Sequence, residues 1–166
     1  MRKIFIITTL LLFAGLAVGQ TSKTNQVDFE TEKAAVADLF DKYYSAINVK
    51  DAATLPTFLT EDVLVCGTDP SEFWNKAQIT DAWTQGLADP TLEINITIGK
   101  REIRVADDGS SAIVVEQYIM PFLSSKIHIR TVSYAVKTND KWMIDFMSFN
   151  LIPKNEDISK INKALE

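Results

Sequence analysis

Cysteine and histidine are almost missing from this chain: Cys66 and His128 are the only residues of their kinds among 166. A single thiol excludes an internal disulfide, so stability must come from a hydrophobic core, which 46% apolar residues can supply. One histidine with no cysteine cluster leaves no ligand set for zinc, copper or non-haem iron, and neither a metal nor a cofactor is expected. Basic charge is also scarce, with 17 Lys and Arg against 22 Asp and Glu, a net −5. That balance argues against nucleic acid or an anionic membrane as partner, since both need a basic face. Long apolar runs are lacking except for residues 4–18. This run is short for a membrane span, which needs about 20 residues, and no basic stop-transfer segment follows it.

What is present begins with a leader. Arg2 and Lys3 precede the apolar run, and Ala17-Val18-Gly19 offers small residues for cleavage, so residues 1–19 read as a secretory signal peptide. The expected location is secreted or periplasmic, with no stable membrane anchor after cleavage. Without Arg2 and Lys3 the balance is 15 basic to 22 acidic residues, or −7. Residues 20–27 read as a disordered polar leader, 28–153 as one domain, and 154–166 as a tail or short helix.

Within the domain, Asp28 can cap a helix whose apolar stripe is Val36, Phe40, Tyr43 and Ile47, ending near Lys50. Asp51 caps a shorter helix through Leu59. A third, over residues 75–88, carries Ile79, Trp83 and Leu87 and stops at Pro90. The period then changes to two. Strands are expected over residues 63–66, 92–98, 101–105 and 112–120, followed by a hairpin over 127–152. Helices first and strands last predict an α+β cone, three N-terminal helices packed on a strongly curved antiparallel sheet.

The hairpin is the expected cavity wall. A three-residue loop, Asn139-Asp140-Lys141, would pair Tyr134 with Phe146, Val132 with Ser148 and Arg130 with Asn150. Their shared face, with Trp142 and Ile144 near the turn, would be apolar at one end and polar at the other.

Gly67-Thr68-Asp69-Pro70-Ser71-Glu72-Phe73-Trp74 resembles the loop of SnoaL-like proteins in the nuclear transport factor 2-like superfamily. Trp142-Met143-Ile144, the alternation that ends at Pro153, and Arg130 twelve residues before that tryptophan are similar as well. The resemblance implies the cone fold and a homodimer through the outer sheet face. It implies no single activity, because the superfamily includes polyketide cyclases, ketosteroid isomerase, scytalone dehydratase and limonene epoxide hydrolase beside binding and assembly domains. Many relatives carry histidine at the position of Phe146, so a histidine acid-base role does not transfer.

Glu116 is the candidate catalytic residue. It faces the cavity if Tyr118 lies opposite Arg130; a one-residue shift puts Gln117 there instead. Ligand contacts are expected from Arg130, Ser148, Asn150 and Phe146 on the hairpin, from Tyr118, from Tyr43 on the first helix and from Trp74 at the cavity mouth. The leading reading is a domain that binds a small, partly apolar molecule, with Arg130 set to hold an anionic group. The rival is a cofactor-independent cyclase, isomerase or dehydratase with Glu116 as base and Arg130 or Tyr118 stabilising an enolate-like oxygen. A third is a dimeric assembly module. For Glu116 the plainer alternative is a structural ion pair, and for Tyr43 a core position.

Overall fold

The computed structural model describes residues 27–166. The leader expected at residues 1–19 and most of 20–27 lie outside the described residues. Helix α1 (Phe29–Asn48) starts where Asp28 accepts a hydrogen bond from the Thr31 amide at 3.2 Å, and Glu30 and Glu32 complement the positive end of its dipole. Its buried stripe is Val36, Leu39, Phe40, Tyr43, Tyr44 and Ile47. The chain leaves the helix through Lys50, held at φ 59°. The expected second helix is a single 3-10 turn (Leu55–Phe58), reached through an Asp51 carboxylate that receives the Thr54 amide and hydroxyl.

Strand β1 (Leu59–Cys66) and the short β2 (Phe73–Trp74) flank the Gly67 loop. Helix α2 (Lys76–Leu87) is opened by a capping box between Asn75 and Gln78. Strands β3 (Ile98–Val105), β4 (Ser111–Met120), β5 (Ser124–Thr138) and β6 (Lys141–Ile152) follow, then a 3-10 turn and a short helix α3 (Ile158–Ala164). The six strands run β2-β1-β6-β5-β4-β3, antiparallel except where β1 lies parallel to β6. Helices α1 and α2 and the inner sheet face enclose the core, and α3 buries no residue. No helix among the described residues is long and apolar enough to cross a membrane.

Residues 92–97, expected as a strand, join no ladder. Asn48 occupies the backbone groups a strand would have paired, donating to the Ile96 carbonyl at 2.9 Å and accepting from its amide at 2.8 Å.

The hairpin differs from the expectation in its turn and in the face it turns inward. The turn has two residues, Asn139 and Asp140, with φ 50° and 60°, as a type I′ turn requires. Strand β6 then carries one extra residue, Asp145, whose carboxylate accepts the Thr60 hydroxyl from β1 at 2.7 Å. The shorter turn and the bulge cancel, so Tyr134 pairs with Phe146, Val132 with Ser148 and Arg130 with Asn150 as expected. The bulge, however, switches faces. Trp142 and Ile144 point inward with Ala135, whereas Phe146, Ser148 and Asn150 point outward. Inward on β5 are Ile129, Thr131, Ser133 and Ala135. These mostly small side chains leave depth for Phe40, Tyr43 and Tyr118, which are buried.

Candidate functional site: an apolar hollow beside a closed polar centre

Arg130, Phe146, Ser148 and Asn150 therefore do not line the cone. Arg130 is exposed and donates to Gln117 Oε1 at 3.0 Å across the outer face, while Asn150 donates to the Arg130 carbonyl and to Ser148. The β5–β6 pairing sets this: with Lys137 opposite Trp142, the odd-numbered residues of β5 point inward and Arg130 points outward. On β4, Gln117, not Tyr118, lies opposite Arg130, and this register turns Glu116 inward against Thr131.

Glu116 has no exposed side-chain surface. Its two oxygens are fully engaged: Tyr44 donates to Oε2 at 2.7 Å and Arg101 Nε to Oε1 at 2.6 Å. Arg101, paired with Glu116 across β3 and β4, also reaches Asp41 at 2.7 Å and the Ala37 carbonyl at 3.3 Å, tying the centre to α1. Burial raises the Glu116 pKa, and the Tyr44 hydroxyl and Arg101 charge offset only part of that rise. Burial also opposes the Arg101 charge, but Asp41 and Glu116 outweigh it and raise its pKa. Tyr118 shares a hydrogen bond with Thr131 at 2.8 Å, and its hydroxyl is pushed up to about 12, chiefly by burial. Its ring meets Tyr44 edge-on at 5.6 Å. Tyr43 is a fully buried core residue between Tyr44 and Phe58. Burial raises its pKa; the nearby Trp83 indole moderates the rise, although neither group completes a hydrogen bond.

The open volume lies elsewhere. A hollow of about 250 Å³ separates α2 from the inner sheet face near the β4–β5 turn. Sheet residues Met120, Ile129 and Phe149 form its floor, Trp74 and the Gly67 loop one wall, and the exposed Phe122 and Leu123 its rim. The facing side of α2 is the series Ile79, Ala82, Trp83, Gly86 and Leu87, a helical stripe with three- and four-residue steps. Gly86 interrupts that stripe. Gly86 is exposed where it borders the hollow, and a Cβ there would meet nothing within 4 Å. Glycine inside a helix costs about 1 kcal/mol relative to alanine, and no turn or positive φ requires it here. Two other hollows, of about 510 and 400 Å³, lie among polar residues around Asp108 and Lys137, and around Asn95 and His128. Neither carries an indole.

Of the expected ligand contacts, Trp74 lines the hollow, Tyr43 is packed in the core, and Tyr118 is buried where it borders the separate hollow near Asn95 and His128. The sequence reading passed over Arg101, Glu72 and Gly86. The α2 period signalled Gly86, since residue 86 falls on the stripe that 79 and 83 define. Among the described residues no group of three His, Cys, Asp or Glu side chains is placed to hold a metal ion.

This arrangement, helices roofing a bent sheet around an interior hollow, defines a cone-shaped α+β domain. Its solved counterparts include an uncharacterised protein with a cystatin-like fold from Caulobacter vibrioides (TM-score 0.64, 17% identity, 82% of this chain and 99% of that one). An NTF2-like protein of unknown function from Pseudomonas putida aligns with TM-score 0.63 at 12% identity, over 77% of this chain and 91% of that one. A protein of unknown function from Pectobacterium atrosepticum aligns with TM-score 0.62 at 19% identity, over 74% and 92%. At these identities the likeness is one of fold. The SnoaL-like domain model matches residues 36–149, and the chain belongs to that family. No curated protein matches its sequence.

Proposed function

We propose that this SnoaL-like domain is exported and binds a small apolar molecule in the hollow between α2 and the sheet. The observation that carries the reading is the interrupted helical stripe: two tryptophans, Trp74 and Trp83, face a space that Gly86 leaves unfilled. Its volume falls just below the usual range for ligand pockets, roughly 300–1,000 Å³, which favours a compact ligand. The enzyme alternative finds less support, because Glu116 is sealed from the hollow with both oxygens occupied.

A homodimer through the outer sheet face belongs to the same proposal. Leu64, Phe146, Tyr134 and Ile113 pair in sequence across four strands and form an apolar row, three of them exposed. Native mass spectrometry of protein recovered from its own host tests these points together. The expected result is a chain beginning at Gln20, a dimer mass and a retained small molecule. An empty protein that also takes up no apolar compound overturns the binding reading.

A further inference from the structure

We infer that the hollow selects a lipophilic cation, an amine on a compact apolar body, with Glu72 as its counter-charge. This rests on the binding reading above and specifies its ligand. Among the described residues Glu72 is the sole ionisable side chain on the wall; no described lysine, arginine or histidine lines it.

The Gly67 loop is shaped to put that carboxylate there. The Gly67 amide donates to the Glu72 carbonyl at 3.0 Å, and the Glu72 amide donates to the Asp69 carbonyl at 3.0 Å, closing a tight turn. The side chain then folds back over Gly67. A Cβ at position 67 would lie 2.0 Å from Glu72 Oε2, so only glycine admits this approach. Oε2 accepts the Asp69 amide at 2.9 Å, whereas Oε1 has no hydrogen-bond partner among the described residues. That oxygen is open to solvent and not buried, so it can exchange water for a ligand donor, and a carboxylate bordering an apolar space favours a positive ligand group over a negative one. Trp74 and Trp83 also line the hollow, and an ammonium group that meets an indole face is attracted by its negative π surface. Arg130, expected to hold an anion, is on the other side of the sheet. The charge preference of the cavity is therefore the reverse of the sequence expectation.

The test uses two matched probe series, benzyl and 1-naphthylmethyl, each as ammonium, alcohol and carboxylate. Binding is measured by calorimetry at 150 mM salt, where the overall charge of −5 is largely screened. The expected result is ammonium binding at least tenfold tighter than alcohol, with no measurable carboxylate binding. Glu72→Gln, which keeps the shape and an acceptor for the Asp69 amide, should leave alcohol binding intact and reduce the ammonium preference to within twofold. Equal ammonium and alcohol affinities, a preference that survives Glu72→Gln, or tight carboxylate binding would overturn the inference while leaving an apolar binding site. Failure of all six probes would overturn the binding reading with it.

Discussion

Two glutamates divide this molecule. Glu116 stands at the centre of the cone with no exposed side-chain surface and a donor on each oxygen; Glu72 stands at the mouth, half-buried, with one oxygen free. Burial alone does not mark a functional carboxylate. What separates the two is whether the protein has already satisfied the group. Glu116 ties β4 to β3 and, through Tyr44 and Arg101, to α1. Glu72 lines the hollow and holds only the Asp69 amide.

The sharpest way to break the comparison is to remove Glu116. Glu116→Ala would strip Tyr44 and the Arg101 Nε of their partner inside the core, and should cost about 3 kcal/mol in denaturant unfolding. Removal of a merely exposed carboxylate would cost far less, so a loss under about 1 kcal/mol would contradict the structural role. Ligand affinity of whatever variant remains folded should be unchanged.

A second, smaller effect appears with pH. The Glu116 pKa is raised above the ordinary 4.5, so the folded state holds its proton more tightly than the unfolded chain. Its contribution to stability is fully present below pH 4.5 and declines as pH rises through the folded pKa. Glu32 behaves oppositely. The Lys137 and Trp142 hydrogen bonds lower its pKa, so its contribution holds above 4.5 and disappears as pH falls through its folded value. Unfolding midpoints measured across pH should show that Glu116→Gln flattens the limb above 4.5 and Glu32→Gln the limb below it.

At the mouth the effects move from stability to binding. Gly67→Ala should displace the Glu72 carboxylate and weaken ammonium binding severalfold, with the alcohol probes little affected. The smallest effect is expected on the outer face: Arg130→Ala should change stability by no more than about 0.5 kcal/mol and leave binding unaltered. An affinity loss there would place the ligand on the wrong side of the sheet.

Much of this architecture was legible in the chain, because helix caps, apolar periods and turn residues agree with one another. Asp28, Asn75 and the alternation along β4 and β5 each carry a local physical signal. The site was harder to read. Hairpin pairing came out correctly because a two-residue turn and the Asp145 bulge compensate. The bulge, which no residue pattern announced, reversed the face of β6 beyond it. Arg130 looked like a pocket residue because a three-residue loop would have put it on the face of Trp142; the two-residue turn puts Thr131, Ser133 and Ala135 there instead. Which arginine meets Glu116 depends on strand order, and a sequence cannot show that β3 rather than β5 supplies it. Gly86 was readable in principle, since a glycine on an apolar helix stripe is a hole by construction.

The central claim is that this hole is the binding site, and Gly86→Phe tests it most directly. The substitution should leave the unfolding midpoint unchanged or slightly higher, since phenylalanine recovers roughly half a kcal/mol of helix propensity. Side by side with the parent protein, it should bind neither the naphthylmethyl ammonium nor the naphthylmethyl alcohol. Equal uptake by the two proteins would contradict the account.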